Sequence, residues 1–207
     1  MKAGGDSRES VMRKEIRLSG FGGQGIILAG HIIGKAAAIY DGKNATLTQS
    51  YGPESRGGAC SAQLIVSDGA ISYPHLIKPE ILVVMSQEAY HKHRWEIIPG
   101  VILLIDEDLV RPNGPLDGVQ VFSIPATRLA EEELGRKMVA NIVMLGFFAA
   151  LTDIVSKDAL REAVLSSVPK GTEELNLKAF ERGYEIGQQR VISSKQQVAS
   201  TWGHGPC

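Results

Sequence analysis

The chain has 207 residues, 43% of them apolar and 22% charged, and its formal net charge at pH 7 is -1. A chain of this length can bury the core of one α/β domain and gives no reason to expect a second one. The apolar content is too high for a disordered protein, and the balanced charge argues against a surface that binds nucleic acid. We therefore expect one globular domain with no nucleic-acid partner.

The apolar pattern and the cysteine content exclude further classes of protein. No apolar run reaches the roughly 18 residues of a membrane-spanning helix, and the polar N-terminus lacks the apolar core of a signal peptide, so we expect a cytoplasmic protein with no membrane contact. The only cysteines, Cys60 and Cys207, form neither a disulfide framework nor a four-cysteine iron–sulfur cluster. If the protein works in a redox system, its electron carriers must be on other chains.

The most informative stretch, RLSGFGGQGIILAG, runs from Arg17 to Gly30. It predicts a strand over 15–19, a glycine turn over 20–25 and a helix over about 24–40. The glycines of the turn are Gly20, Gly22, Gly23 and Gly25. They fit the pattern G-x-G-x-x-G, in which backbone N–H groups of the turn and of the helix start bind a phosphate. The stretch predicts an anion site, with a tight connection that binds no ligand as the alternative.

The second strand, predicted over 44–49, tests whether the turn binds a dinucleotide. In dinucleotide-binding domains an acidic residue about 20 residues after the glycines, at the end of this strand, binds the ribose hydroxyls. Gln49 and Ser50 occupy that place here, and Asp41 lies before the strand, in a turn. The missing carboxylate disfavours NAD as the ligand.

A second glycine-rich loop, SYGPESRGG, runs from Ser50 to Gly58. It combines glycines and a proline with hydroxyl groups, a tyrosine and an arginine, and such groups bind anions. Because ligands of open α/β sheets bind beyond the carboxyl ends of the strands, we expect this loop beside the glycine turn, where the two would form a site for a phosphorylated ligand. The alternative is an exposed Gly-Pro turn with Arg56 in a surface ion pair.

The remaining pattern predicts a Rossmann-like three-layer α/β domain over residues 14–187, with a mostly parallel sheet and C-terminal helices. Strands over 60–67 and 70–73, joined at Asp68-Gly69, are predicted to form a β-hairpin insertion. Further strands are predicted over 81–86, 101–106 and 119–124, and helices over 87–95, 125–135, 138–153, 157–168 and 173–187. Residues 1–13 are predicted to be a flexible extension and residues 188–207 a disordered tail.

No catalytic residue and no metal site is predicted in this chain. His91 and His93 would point to different sides of a helix and no third ligand follows at a useful spacing, so we expect the histidines at the surface. Cys60, at the start of a strand, is expected to be a small buried apolar residue. Asn141 lies in an apolar helix, where it either contacts a partner or makes a hydrogen bond in the core.

The two glycine-rich segments together resemble the gamma subunit, or gamma domain, of the 2-oxoacid:ferredoxin oxidoreductases. The resemblance covers about residues 14–187 and includes YP at 73–74, SQEAY at 86–90, IPAT at 124–127, VANIVMLG at 139–146 and ELNLKAF at 174–180. The segments SYGPESRGG and LNLKAFERGYE are most similar to the 2-oxoglutarate type of the family, 2-oxoglutarate synthase.

The resemblance implies a subunit, inactive alone, of a multi-chain oxidoreductase that decarboxylates a 2-oxo acid, forms the acyl-CoA (succinyl-CoA from 2-oxoglutarate) and reduces ferredoxin. It places thiamine diphosphate, magnesium and iron–sulfur clusters on alpha, beta and delta subunits or their equivalents, and it gives the gamma part a role in enclosing coenzyme A. The positions expected to contact coenzyme A are Gly20, Gly22, Gly23, Gln24, Gly25, Ser50, Tyr51, Gly52, Ser55, Arg56, Gly57 and Gly58.

Other interpretations stay open at the level of the sequence. The substrate of the complex can instead be pyruvate, a branched-chain 2-oxo acid or indolepyruvate, because the pocket for the acid is expected largely on other chains. An autonomous nucleotide-binding dehydrogenase would bind its own dinucleotide and turn over alone. A homodimeric nucleotide-binding regulator would self-associate through the apolar helix at 141–153 without partner chains.

Overall fold

The computed structural model describes residues 11–51 and 59–202. Their centre is a six-stranded sheet with the strand order β2-β3-β1-β4-β5-β6. The strands are β1 (Arg13–Phe21), β2 (Asn44–Tyr51), β3 (Ala59–Ser67), β4 (Ile81–Val84), β5 (Ile102–Asp106) and β6 (Gln120–Ile124). Only β3 runs against the others, since it is antiparallel to both β1 and β2 while β1, β4, β5 and β6 are parallel neighbours. The predicted α/β fold with a mostly parallel sheet is confirmed.

Helices cover the sheet on both faces. They are α1 (Ile26–Lys35), which continues as a π-helical turn (Ala36–Tyr40), α2 (Gln87–Lys92), α3 (Ala126–Arg128), which continues as a π-helical turn (Leu129–Glu133), α4 (Ala140–Leu151), α5 (Lys157–Leu165) and α6 (Glu173–Trp202), with short 3-10 turns at Arg94–Glu96 and Lys137–Val139. Within the part of the chain that the structure describes, every helix is too short or too polar to cross a membrane.

Two apolar clusters, one on each face of the sheet, hold the layers together. On the face covered by α1, which we call the α1 face, Ile33 and Phe180 belong to a large core that also contains side chains of α4 and α5. On the opposite face, the α2 face, Leu82 of the sheet packs in a smaller cluster with Tyr90 of α2. Strands β4 and β5 contribute to both clusters, so they are buried on both sides, as their unbroken apolar sequences predict.

The prediction of a second hairpin strand over 70–73 is wrong. Strand β3 forms, but residues 70–80 are irregular, and the antiparallel partners of β3 are β1 and β2. The chain leaving β3 is tied to the start of β1, because the Asp68 N–H donates to the Met12 carbonyl at 3.1 Å. The buried Glu15 carboxylate then accepts hydrogen bonds from the backbone N–H groups of Ile77 and Lys78 at 2.7 and 2.8 Å. These contacts hold the segment against β1 and keep it from returning along β3.

Helices α4 and α6 cross with their backbones in contact on the α1 face. A Cβ atom at Gly146 would overlap the carbonyl group of Phe180, and a Cβ atom at Gly183 would overlap the carbonyl group of Val143. Interiors this closely packed have no room for an added methyl group. The crossing therefore depends on glycine at both positions.

Helix α6 continues to Trp202, so the predicted end at Gly187 is wrong, and residues 188–202, predicted to be a disordered tail, are helical. Polar glutamine and serine residues dominate after Gly187, which weakens the apolar period that identifies a helix, but the glutamine, lysine, arginine and alanine residues there have high helix propensity. Residues 203–207, and residues 1–10 of the predicted extension, lie outside the described part. Arg13 of that extension already belongs to β1.

Candidate functional site

The glycine turn joins the carboxyl end of β1 to the start of α1. Gly23 and Gly25 have φ angles of 95° and 70°, in the left-handed region that residues with side chains rarely adopt. Among the described residues, nothing lies within 4 Å of the point that a Cβ atom on Gly23 would occupy. The backbone of the turn is therefore open at Gly23, as close approach of a ligand requires.

The N-terminus of α1 carries unpaired hydrogen-bond donors. Gly25 is the N-cap, no side chain of the described residues caps the helix, and its first turn has no acidic residue. The first amides of an α-helix have no partner within the helix, and the helix dipole adds positive potential at this end. The turn and the start of α1 can therefore bind an anion such as a phosphate group.

Gln24 joins the carboxyl ends of two strands. Its amide oxygen accepts a hydrogen bond from the Phe21 N–H at 2.7 Å, and its amide nitrogen donates to the Met85 carbonyl at 2.8 Å. A Cβ atom at Gly20 would overlap this amide oxygen, so a larger residue there would displace the Gln24 side chain from its present position. The sequence suggests a ligand contact for Gln24, whereas the structure engages its amide group inside the chain.

Asn141, in the first turn of α4, reaches the glycine turn from the side of the helices. It is 3% exposed, and its side-chain nitrogen donates to the carbonyl oxygen of Gly25 at 3.2 Å. The same side chain occupies the space that a Cβ atom on Gly25 would need. Of the two roles predicted for Asn141, the structure contains the hydrogen bond in the core.

The second glycine-rich loop begins and ends beside the glycine turn. Tyr51 and Gly20 pair with Cys60 from opposite sides, and Phe21 pairs with Ala59. Ser50, next to the end of β2, is exposed. The remaining predicted site residues, Gly52, Ser55, Arg56, Gly57 and Gly58, lie outside the described residues, and their contacts stay predictions.

The strand order bears on the dinucleotide hypothesis. In dinucleotide-binding domains, the strand that carries the acidic ribose-binding residue lies next to the strand that enters the glycine turn. Here the antiparallel strand β3 takes that place, and β2 lies one strand further out. The end of β2 therefore does not present a side chain to a bound ribose in the way that NAD binding requires.

A cleft of about 370 Å³, which was not predicted from the sequence, opens on the helical side of the glycine turn. It lies where the starts of α1, α4 and α6 meet, and its lining includes Gly23, Leu28, Arg136, Met138, Pro169 and Thr172. Arg136 is the one charged residue among the described residues of the lining, and Met138 is 82% exposed. Helix starts, a cation and apolar walls together suit a ligand that is anionic at one end and apolar elsewhere.

A buried ion pair lies on the α2 face. The Nε and Nη2 atoms of Arg17 donate to the two carboxylate oxygens of Glu96 at 2.5 and 2.7 Å. The side chains are 10% and 2% exposed. A charge-assisted pair with two parallel hydrogen bonds is geometrically specific, so it fixes the segment after α2 against β1.

His93 lies beside this ion pair, and its predicted surface position is wrong. Its Nδ1 atom is 3.6 Å from the Glu96 carboxylate, and neither ring nitrogen has a hydrogen-bond partner among the described residues. Burial, helped by the charges of Arg17 and Lys92, lowers the pKa of His93 from 6.5 to about 4, so the ring is neutral at pH 7.

The structure gives Cys60 the buried position that the sequence predicts, and burial raises the pKa of its thiol. A thiol with a raised pKa is a poor nucleophile at neutral pH. Within residues 11–51 and 59–202, no group of three or more histidine, cysteine, aspartate or glutamate residues could hold a metal ion.

Comparison with known proteins gives a consistent result. A family model described as pyruvate ferredoxin/flavodoxin oxidoreductase matches residues 15–186. The 2-oxoglutarate synthase subunit KorC of Methanocaldococcus jannaschii is 56% identical to the chain over 185 residues, which cover 89% of this chain and 99% of the archaeal protein.

Two solved structures have the same fold. The gamma subunit of a keto/oxoacid ferredoxin oxidoreductase from Geobacter sulfurreducens PCA is 46% identical, with a TM-score of 0.76 over 85% of this chain and 99% of that subunit. A 2-oxoglutarate:ferredoxin oxidoreductase from Magnetococcus marinus, with 2-oxoglutarate, coenzyme A and succinyl-CoA bound, is 25% identical, with a TM-score of 0.78 over 86% of this chain and 31% of that chain.

Proposed function

Because the chain belongs to the pyruvate ferredoxin/flavodoxin oxidoreductase family, we propose that it is the gamma subunit of a 2-oxoglutarate:ferredoxin oxidoreductase. The observation that carries this proposal is the 56% identity to a 2-oxoglutarate synthase subunit over 99% of that protein. The complex decarboxylates 2-oxoglutarate, transfers the succinyl group to coenzyme A and passes the electrons to ferredoxin. This chain contributes to binding and assembly and does not turn over alone.

Thiamine diphosphate, magnesium and the iron–sulfur clusters belong to the partner subunits in this proposal. The chain has only two cysteines, too few to hold a four-cysteine cluster. The described residues also contain no cluster of three or more histidine, cysteine, aspartate or glutamate side chains placed to hold a metal ion. Alpha, beta and delta subunits or their equivalents supply these groups, and ferredoxin accepts the electrons from the complex.

Coenzyme A is the ligand that the residues of this chain fit. Its diphosphate needs donors that it can approach closely, and the glycine turn offers the backbone amides of Gly22, Gly23 and Gly25. Two features of the described residues support this assignment: none of them lies near the Cβ position of Gly23, and none of their side chains caps the start of α1. The adjoining cleft supplies apolar walls for the pantetheine arm and, in Arg136, a cation for a phosphate group.

In this proposal the second glycine-rich loop, whose flanking strand ends lie beside the glycine turn, completes the site. Ser50 and Ser55 offer hydroxyl groups, Tyr51 offers a ring for stacking, and Arg56 offers a charged contact with two donors to a phosphate. Gly52 is also assigned to the site, and Gly57 and Gly58, which have no side chains, would let a ligand approach the backbone.

The substrate is tested by purifying the chain with its partners and assaying the complex. The assay supplies coenzyme A and ferredoxin together with 2-oxoglutarate, pyruvate, a branched-chain 2-oxo acid or indolepyruvate. We expect the highest kcat/KM with 2-oxoglutarate, and a higher value with another acid would overturn the substrate assignment. A chain that is active alone and binds NADH in a fluorescence titration would overturn the subunit assignment.

Contact with coenzyme A is tested by Arg56→Ala in the complex. We expect the KM for coenzyme A to rise about tenfold with little change in the KM for 2-oxoglutarate, because a charged hydrogen-bonded contact is lost at one ligand only. Arg161→Ala is the matched control, since Arg161 makes exposed ion pairs with Glu162 and Glu181. Equal kinetics in the two variants would count against a contact from this loop.

A further inference from the structure

Asn141 connects two parts of the fold that lie 116 positions apart in the chain. Its side-chain nitrogen donates to the carbonyl oxygen of Gly25 at 3.2 Å. The same oxygen accepts the first hydrogen bond of α1, from the Ala29 N–H at 2.9 Å. Two donors from different elements therefore fix the direction of one carbonyl group.

The direction of this carbonyl decides where the next N–H points. A trans peptide is planar, so the Gly25 carbonyl and the Ile26 N–H point in opposite directions. The carbonyl points to Asn141 and along α1, and the Ile26 N–H therefore points out of the start of the helix. This is the side on which the amides at a helix N-terminus bind an anion.

Gln24 holds the other end of the same turn. Its hydrogen bonds to the Phe21 N–H and to the Met85 carbonyl fix the start of the turn to β1 and to the residue after β4. Between these braces, Gly23 has no described neighbour near its Cβ position. The backbone of the turn is thus held by two side chains, and no described residue covers its ligand side at Gly23.

We propose that Asn141 is a positioning residue that orients the Gly25–Ile26 peptide for anion binding and ties this orientation to the start of α4. The identity of the anion, the diphosphate of coenzyme A, rests on the proposed function. Asn141 is 3% exposed and lies in the wall of the cleft, and its side-chain nitrogen is already bonded to the Gly25 carbonyl, so we assign it no contact with a reacting atom. It acts through the backbone that it holds.

The proposal is tested in the complete enzyme complex with Asn141→Leu, which keeps most of the volume and removes the donor. We expect the KM for coenzyme A to rise about tenfold while the KM for 2-oxoglutarate stays unchanged. A side chain that only fills the core would change stability without separating the two KM values. If the leucine variant does not assemble, Asn141→Ala, which is smaller, uncharged and lacks the N–H donor, gives the same comparison.

Thr152→Val is the control variant. Thr152 follows the last residue of α4, is 7% exposed, and its hydroxyl donates to the Phe148 carbonyl at 2.9 Å. The variant loses a buried side-chain hydrogen bond at the same helix without touching the glycine turn. We expect both KM values to stay at the level of the unmodified complex, and a coenzyme A defect equal to that of Asn141→Leu would overturn the proposal.

A second measurement separates this proposal from the proposed function. In the full chain alone, without coenzyme A, Asn141→Leu should speed amide hydrogen exchange of Ala29 several-fold, because the acceptor of its hydrogen bond is no longer held. Faster exchange combined with an unmodified complex that does not use coenzyme A would overturn the function and leave the positioning role. An unchanged KM for coenzyme A in an active Asn141→Leu complex would overturn the positioning role and leave the function.

Discussion

The two faces of the sheet hold their layers by different physical means. On the α1 face, α4 and α6 touch backbone to backbone at Gly146 and Gly183. On the α2 face, the buried charges of Arg17 and Glu96 meet beside the neutral ring of His93. The stability of the α1 face depends on the small volume of two glycines, and that of the α2 face depends on the charges of a buried ion pair. We therefore expect stability to respond to an added methyl group on one face and to protonation on the other.

The largest loss of stability is expected for Gly183→Ala. The new Cβ atom would overlap the Val143 carbonyl, and relieving the overlap requires the two helices to separate. We expect the free energy of unfolding to fall by about 5 kcal/mol, measured by urea denaturation. Gly34→Ala in α1 is the control, because its Cβ would meet only a Leu64 methyl group at 3.3 Å, and we expect a change within about 1 kcal/mol. Similar losses of stability in the two variants would show that the close backbone contact between α4 and α6 is not what stabilises this face.

A smaller loss is expected for Glu96→Gln. The substitution keeps the shape and leaves the buried Arg17 guanidinium without an opposite charge, so we expect the free energy of unfolding to fall by about 3 to 4 kcal/mol. Glu133→Gln removes a similar contact with two hydrogen bonds, to Arg182, at the exposed surface. There we expect a loss below about 1 kcal/mol in the same urea experiment. If both glutamines cost the same, burial does not decide the strength of the pair.

The smallest change in the free energy of unfolding is expected from protonation of His93, and it is confined to acid pH. The folded state disfavours the charged ring, whereas the unfolded chain binds a proton below about pH 6.5. The neutral ring of His93 therefore contributes fully to the free energy of unfolding above pH 6.5. This contribution, at most about 3 kcal/mol, is lost as the pH falls to about 4.

Urea denaturation at several pH values checks this window. His93→Phe should flatten the fall in stability between pH 6.5 and 4, while His91→Gln, at an exposed histidine, should leave it unchanged. A pH dependence that survives in His93→Phe would assign it to other groups.

The unit of β1, glycine turn and α1 could be predicted from the sequence because its signals are local. The apolar alternation before Gly20, the spacing of the glycines and the helical period after Gly25 all act within one stretch of chain. The apolar strands β4 and β5 were predictable for the same reason. Where short-range preference and tertiary structure agree, the pattern is sufficient.

The features that the sequence did not reveal depend on residues far apart in the chain. Asp68-Gly69 is a local signal for a hairpin, but the segment that follows it is hydrogen-bonded to the carboxylate of Glu15 in β1. His93 has polar neighbours in sequence, yet it is buried beside the ion pair of Arg17 and Glu96, a contact between parts of the chain far apart.

The cleft beside the glycine turn is a further case. Its walls come from three separate helix starts, so no single window of sequence contains it. The only sequence features that mark its position are the turns at 135–136 and 169–171, which contain glycine and proline and come shortly before α4 and α6. They predict turns at these places, but not that the turns meet at a cleft.

Helix α6 separates its last turn from the cleft by the full length of the helix. It starts at the cleft, where Thr172 precedes its first turn, and its 30 residues correspond to a length of about 45 Å. A reporter group on its last turn would thus sit far from the proposed coenzyme A site. Energy transfer from that position to a partner subunit could follow assembly of the complex in real time without disturbing ligand binding.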